Sequence, residues 1–377
     1  MILTLLFWFL VVLIVYAYFG YPLLVYLLAR FNPQSIEKGN ITPKVSFITV
    51  AYNEEDCIKE KIENSFSLDY PRNKLDIIFV SDGSTDSTNK IASEYSGRGI
   101  KFIKFDSRRG KASCLNDAVS ESDGEILVFS DANVIYEKGA IKKLVKNFED
   151  NRIGGVTGEV HYYIDKSSSN EGEGLFAKYE RFIRNCESKF YSLIGVNGAM
   201  YAIRKELYIP IREDIVTDDF VIALNVIVQG YKIAYEPEAK GIEKIYSSAK
   251  DEFIRKVRMI AGGYQALNEF KERYKEIPFP VVFELISHKL FRWLVPFFLV
   301  GIFIVNMFLL DLTVYRFFFI LQIFFYLVVL LGYIFEKRRI VSPLSYLYYF
   351  VAVNLAGIFG LFKFITGTQK VTWSRGR

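Results

Sequence analysis

Apolar runs and helical stripes alternate along residues 45–150. The runs VSFITV (45–50), LDIIFV (75–80), IKFIKF (100–105) and EILVFS (125–130) read as strands at near-even spacing. Between them, Ile58, Ile62 and Phe66 recur every four residues, and Thr88, Ile91, Ala92 and Tyr95 follow the i, i+3, i+4, i+7 rule. Ala112, Leu115 and Val119 follow it approximately, and Ala140, Leu144, Val145 and Phe148 make one more inward face opposite Lys142, Lys143 and Lys146. Strand–helix alternation of this kind predicts an α/β domain, a parallel sheet with helices on both faces. Its crossovers are expected to be right-handed.

The pattern loosens after residue 150. KSSSNEGEG (166–174) predicts a loop, followed by a long helix to Phe190. GVNGAMYAI (195–203) predicts a strand with a glycine bend, and Lys232–Tyr235 another strand. A helix over Asp218–Gln229 is closed by Gly230 at its C-terminal cap. Asp251–Phe270 is amphipathic, with Phe253, Val257, Ile260, Ala261, Tyr264 and Leu267 on its apolar face. Residues 280–292 mix apolar groups with Glu284, His288, Lys289 and Arg292, as in a helix lying in a membrane interface. There is no internal repeat.

The ends of the chain explain its 51% hydrophobic composition. Residues 2–28 are apolar and uncharged, long enough to span a bilayer. The run is too long for a signal peptide, lacks a basic start and has no small-residue cleavage site, so it predicts an anchor. Leu294–Leu310, Val314–Phe335 and Leu344–Phe362 are further candidate spans, with Asp311 in one turn and EKRR (336–339) in the next. The predicted organisation is therefore an N-terminal transmembrane helix (1–30), a cytoplasmic catalytic domain (31–275), an interfacial helix (276–293), transmembrane helices (294–366) and a basic tail (367–377). Arg30, Lys38 and Lys44 after the first span place that domain in the cytoplasm of an integral multi-pass protein of the plasma membrane. Four spans would put the tail outside, against its Lys363, Lys370, Arg375 and Arg377. The last segment is then re-entrant, the first is not a simple span, or the charge rule fails.

Charge and residue usage exclude some chemistry. The net charge of +5 suits an anionic membrane surface or substrate, and no nucleic-acid partner is expected. Two histidines, His161 and His288, argue against a histidine-ligated metal and a serine–histidine triad. Cys57, Cys114 and Cys186 show no paired spacing and are expected to be free thiols.

Carboxylates at strand ends carry the chemistry. Asp82 closes the run before GSTDST, and Asp131 closes the run before Ala132 and Asn133. Ligands of open α/β sheets bind beyond the carboxyl ends of the strands. There Asp82 can meet a nucleoside, while Asp131 and Asn133 offer oxygens to Mg2+ or Mn2+. Asp218 and Asp219 open a helix after Thr217, one free to serve as a base. Arg255 and Arg258 share a helix face and can stripe a diphosphate, and RRGK (108–111) can touch phosphate. Each motif has a plainer reading as a helix cap, an Asx turn or a solvated face. Their order along the chain favours the joint reading.

In AYNEE (51–55), VSDGSTDST (80–88), GKASCLNDA (110–118), FSDANV (129–134), TDD (217–219) and RKVRMIAGGYQAL (255–267), the chain resembles the membrane-bound family 2 glycosyltransferases. The resemblance covers about residues 45–270. It implies a GT-A domain with a mixed, mainly parallel sheet flanked by transmembrane helices. It also implies inverting transfer from a nucleotide diphospho-sugar, commonly a UDP-sugar. Ala51, Tyr52, Glu54, Asp82, Lys111 and Asp131 would bind the nucleotide, and Arg255 and Arg258 the diphosphate. Asp131 and Asn133 would hold Mn2+ or Mg2+, Asp219 would be the base, and Asp218 would support it. Two departures stand out: Asp131-Ala132-Asn133 replaces one carboxylate of a DxD motif by an amide, and Arg255–Met259 lacks the Gln and Trp of the QxxRW motif of processive synthases. The expected partners are a nucleotide-sugar donor, a lipid-linked or growing glycan acceptor and membrane lipids, in a monomer or an oligomer. The rivals are a processive synthase that exports its product and a catalytically silent membrane scaffold. A dinucleotide-dependent reductase is set aside, because AYNEED stands where a GxGxxG turn would be needed.

Overall fold

The computed structural model describes residues 1–164, 171–245, 249–337 and 344–372. Helix α1 (Ile2–Phe31) leads into strand β1 (Val45–Ala51). The alternating region follows as α2 (Ile58–Ser67), β2 (Leu75–Ser81), α3 (Thr88–Ser93), β3 (Ile100–Lys104), α4 (Lys111–Ser120), β4 (Ile126–Asp131), β5 (Val134–Tyr136) and α5 (Ala140–Val145). Then come β6 (Ile153–Ile164), α6 (Glu171–Phe190), β7 (Met200–Arg204), α7 (Asp218–Val228), β8 (Lys232–Ile245) and α8 (Ala249–Glu269). Helices α9 (Phe279–Met307), α10 (Thr313–Lys337) and α11 (Leu344–Ile365) complete the described chain.

The eight strands form one sheet in the order β3-β2-β1-β4-β7-β6-β8-β5. β3, β2, β1 and β4 are parallel neighbours, as is the β6–β8 pair, while β7 and β5 run antiparallel to their partners. The strand–helix alternation predicts the parallel part of this sheet, and the mixed, mainly parallel whole is what the resemblance implies. Every residue of β1 is buried, as a central parallel strand requires. Alternate residues feed two cores. Ile48, Val50, Ile78, Val80, Leu127 and Phe129 pack with α4 and α7, and Phe47, Ile77, Phe79, Ile126 and Val128 with α2 and α5.

Three sequence expectations change. GVNGA (195–199) is loop, and the strand there is only Met200–Arg204. Lys232–Tyr235 is the start of a strand running to Ile245, and Ile153–Ile164 is a twelve-residue strand. The segment 280–292 is not a separate interfacial helix. It runs through a π-helical turn at Leu285–Leu290 into the apolar helix Phe291–Met307. Its polar residues do not face headgroups: Glu284 is buried, and His288 Nδ1 lies 2.6 Å from Glu187 Oε1 on α6. Arg292 meets Glu180 at 2.5 Å, and the Tyr21 hydroxyl of α1 donates to Glu187 at 2.5 Å. A polar cluster therefore ties two apolar helices to the sheet domain. Of the predicted loop 166–174 and of EKRR, residues 166–170 and 338–339 lie outside the described residues, as does WSRGR (373–377).

Among the described residues, four helices are long and apolar enough to cross a membrane, the last being Leu347–Ile365. Yet α11 touches the sheet domain near both ends. Tyr349 lies against Phe176 of α6, with ring centroids 6.1 Å apart, and Phe364 stacks on Tyr264 of α8 at 5.7 Å. Between them Gly360 allows close approach, since a Cβ there would sit 2.8 Å from Ile260.

Candidate active site

Strand register sets the floor of the site. Ala51 pairs with Ser81, and Val50 with Asp131, so β1, β2 and β4 end side by side. The two loops that leave β1 and β2 are zipped together. Asn53 N donates to Ser84 Oγ at 3.1 Å, Glu54 N to Thr88 Oγ1 at 2.8 Å and Glu55 N to Asp86 Oδ2 at 3.2 Å. In return Thr85 N donates to Asn53 Oδ1 at 2.8 Å and Ser87 N to Glu55 Oε2 at 2.9 Å. Asp86 also accepts from Thr88 N at 3.0 Å, so this acid serves the start of α3. Gly83 has φ +67°, and a Cβ there would lie 2.6 Å from Arg108 N. Glycine thus lets the 106–110 loop press onto the first turn.

Asp82 is buried beneath that loop. Its Oδ1 accepts from Arg109 N at 2.6 Å, and both its oxygens from Gly110 N at 3.1 Å. In this arrangement Asp82 shapes the loop that delivers Lys111. The loop also lays the Arg108 guanidinium 3.6 Å from the Tyr52 ring centroid, forming a flat wall beside β1. Glu54 Oε2 accepts from Cys57 Sγ at 3.1 Å.

Lys111, the first residue of α4, is the hub. Its Nζ lies 2.7 Å from Asp131 Oδ1 and 3.6 Å from Asp218 Oδ2. Burial opposes its charge, but Asp131 and Asp218 outweigh burial and hold its pKa up. Asp218 Oδ2 is otherwise a buried oxygen without a hydrogen bond. Asp219 points the other way. Its Oδ2 accepts from Gly198 N at 3.1 Å and its Oδ1 from Phe220 N at 2.8 Å. Burial, with the neighbouring Asp218, pushes its pKa up to about 6, against the pull of Lys111 and Lys289. Thr217 holds the N-cap position of α7, though its hydroxyl makes no bond.

The two arginines part company. Arg258 turns inward, donating to Val216 O at 3.3 Å and to Val371 O of the tail at 3.4 Å. Burial lowers its pKa, and Asp218, Asp219 and Asp131 pull it back. Arg255 instead pairs with Glu252 at 2.5 Å. The tail closes this side: Val371 Cγ1 would lie 3.3 Å from a Cβ at Gly110, which has φ +96°.

Residues 46–209 match the family model for glycosyl transferase family 2. These residues form a family 2 glycosyltransferase domain. The chain is 27% identical over 232 residues to a poly-beta-1,6-N-acetyl-D-glucosamine synthase of Staphylococcus epidermidis, covering 59% of this chain and 55% of the relative. A synthase of the same name from Staphylococcus aureus is 26% identical over 247 residues, covering 63% and 59%. The match thus spans little more than half the length of these relatives. Among solved structures, the mannosyltransferase PcManGT from Pyrobaculum calidifontis, in complex with GDP-Man and Mn2+, superposes with TM-score 0.67. That similarity covers 93% of this chain and 99% of the other at 22% identity, and it establishes the GT-A fold.

A divalent metal would find a single exposed carboxylate in the glycosyltransferase domain rather than a cage, and Lys111 already pairs with it. Among the described residues, no group of three or more His, Cys, Asp or Glu is placed to hold a metal by itself. Small hard cations, however, are commonly bound by one or two carboxylates plus substrate phosphates. Asp131 fits that role, with 39% of its side-chain surface exposed. Asn133 uses its amide nitrogen elsewhere, Nδ2 donating to Glu243 Oε1 on β8 at 3.1 Å, and its amide oxygen is the atom that would meet a metal.

Two residues of the domain escaped the sequence reading. Gly198 supplies the backbone N–H that holds Asp219, and a Cβ there would meet Asp219 Oδ2 at 2.9 Å. Lys61 is fully buried in α2 and donates to Ser130 Oγ at 2.6 Å and to Val134 O at 2.5 Å, bracketing the Asp131 turn. Burial lowers its pKa to about 7. Its signal in the sequence was a lysine on the stripe formed by Ile58, Ile62 and Ser65.

Proposed function

We propose that the protein is a membrane-anchored, inverting glycosyltransferase. It moves a sugar from a nucleotide diphospho-sugar, most simply a UDP-sugar, to a lipid-linked or growing glycan acceptor. The observation that carries this reading is the Lys111–Asp131–Asp218 cluster at the strand ends, with Asp219 held separately by Gly198. Tyr52, Glu54 and the loop clamped by Asp82 border the nucleoside. Lys111 and Arg258 face the diphosphate, whereas the Glu252 pair leaves Arg255 a lesser part. Asp131 would hold Mn2+ or Mg2+ together with the diphosphate, and the metal would neutralise charge on the leaving group. Asp219 takes the proton of the acceptor hydroxyl as that oxygen attacks the anomeric carbon and the nucleotide diphosphate departs. Asp218, anchored on Lys111, keeps the first turn of α7 in place and raises the basicity of Asp219.

The catalytic domain is read as cytoplasmic. Counting α1, α9 and α10 as crossings and α11 as a helix laid along the domain returns the tail to the cytoplasmic side. Lys363 and Lys370 then agree with the positive-inside rule. A second reading, processive synthesis, is favoured by the names of the staphylococcal relatives. The missing Gln and Trp in Arg255–Met259 favour single transfer. The test is nucleotide diphosphate release by the full chain in lipid nanodiscs across a donor panel with Mn2+, with products sized on a gel. Release with one donor and a one-sugar product supports the first reading. A ladder supports the second, and no release from any donor with acceptor lipids supplied would refute both.

A further inference from the structure

The donor side of the site is lined by cations held in ion pairs or hydrogen bonds, whereas among the described residues one cation near the base has neither. Among the described residues Lys289 makes no hydrogen bond or ion pair. Its ammonium lies 5.1 Å from the centroid of the Phe220 ring, next in sequence to the base. Its charge is felt by the Asp219 carboxylate. The acids around it are already engaged: Glu180 by Arg292 and His288, Glu187 by His288 and Tyr21, and Asp219 by two backbone N–H groups.

Lys289 lies against the wall of the base. Phe220 packs over Gly195, where a Cβ would sit 3.2 Å from the ring, and Gly198 abuts Asp219. Two glycines therefore let Phe220 and Asp219 press against the 195–198 loop, beside Lys289. Lys289 sits in the π-helical turn Leu285–Leu290 at the domain end of α9, a helix long and apolar enough to cross a membrane. Such turns recur at functional sites. A lysine there would ordinarily snorkel to the headgroups. Contact with the Phe220 ring turns this one inward instead, and paired His288 and Arg292 on either side fix the turn.

We propose that Lys289 binds the phosphate of a lipid-linked acceptor and thereby positions the acceptor hydroxyl on Asp219. This rests on the glycosyltransferase reading and adds the chemical class of the acceptor. The bookkeeping of the step is unchanged: the hydroxyl proton goes to Asp219, the new bond forms to the anomeric carbon, and the nucleotide diphosphate leaves.

The test is equilibrium binding by the full chain in neutral-lipid nanodiscs, with a short polyprenyl phosphate, the matching polyprenol and phosphatidylglycerol as probes. UDP binding on the same samples reports whether each variant is folded. The wild type should prefer the polyprenyl phosphate over the alcohol by about tenfold. Lys289→Met should erase that preference and Lys289→Arg should retain it. In turnover, Lys289→Met should raise KM for a phosphate-linked acceptor more than it lowers kcat. Survival of the preference in Lys289→Met would overturn the proposal, as would equal binding of phosphatidylglycerol, which marks a headgroup contact. Absence of UDP and other nucleotide binding in the wild type would count against the glycosyltransferase reading instead.

Discussion

Gly198→Ala isolates the contact that holds the base. A Cβ at this position would stand 2.9 Å from Asp219 Oδ2, 3.2 Å from Cγ and 3.3 Å from Cβ, so the carboxylate must retreat by some tenths of an ångström. Retreat lengthens the 3.1 Å bond from Gly198 N. A hydrogen bond to a charged group is worth about 1.5–3 kcal/mol. Solvent at a half-buried carboxylate discounts this to roughly 1.4 kcal/mol, or about one pKa unit. The bond favours the ionised form, so its loss raises the pKa, from about 6 to about 7. The acid limb of kcat/KM against pH should move up by about one unit, because that ratio reports groups of the free enzyme. Misplacing a reacting group by about 1 Å costs roughly 100-fold, so the smaller shift here should lower the pH-independent kcat by about tenfold. Nucleotide affinity should not change, since Gly198 contacts neither Asp82 nor Lys111. The assay is transfer from the preferred donor with Mn2+ between pH 5 and 9. An unmoved acid limb with unchanged kcat would refute the assignment of Asp219, held by Gly198, as the base.

Other perturbations address the remaining parts. Lys111→Met removes a cation that pulls the Asp219 pKa down, so the acid limb should rise in pH and nucleotide diphosphate affinity should fall at least tenfold, by titration calorimetry. Asp131→Ala should abolish the gain in nucleotide affinity that Mn2+ confers, measured as binding with and without the metal. Lys61 bears on stability: its folded pKa of about 7 lies below the usual 10.5, so the unfolded chain binds more protons between those values. Folded stability should therefore rise with pH from about 7 to 10, and melting curves of Lys61→Met should lack that part of the rise.

The parallel half of the fold is legible because β1, β2 and β4 are short apolar runs, with polar residues following Ala51, Ser81 and Asp131. The other half is not. β6 contains Gly154, Gly155 and Gly158, residues that weaken strand propensity. In the folded chain a Cβ at Gly155 would meet Ile233 at 2.5 Å, and one at Gly158 would meet Met200 at 2.3 Å, so close packing of neighbouring strands requires them. β8 contains Pro237 and charged residues, and its register against β6 slips between Thr157 and Glu159. At the site, the acids could be found from their place in the motifs, but their partners could not. Asp82 is captured by backbone N–H groups of a loop that approaches only in the folded chain. The parting of the arginines was partly readable, since Glu252 stands three residues before Arg255, a spacing that favours an ion pair. Gly198 reads as part of a strand in the sequence because a loop that presents one N–H to a distant carboxylate leaves no periodic signature.

The central claim is that Asp219 is the base of a sugar transfer whose donor is held by other residues. The direct measurement is nucleotide diphosphate release together with donor affinity, for the wild type and Asp219→Asn in parallel. The account predicts that release falls by at least about a thousandfold while donor affinity stays within about twofold. Turnover by Asp219→Asn at the wild-type rate, with donor binding intact, would contradict it.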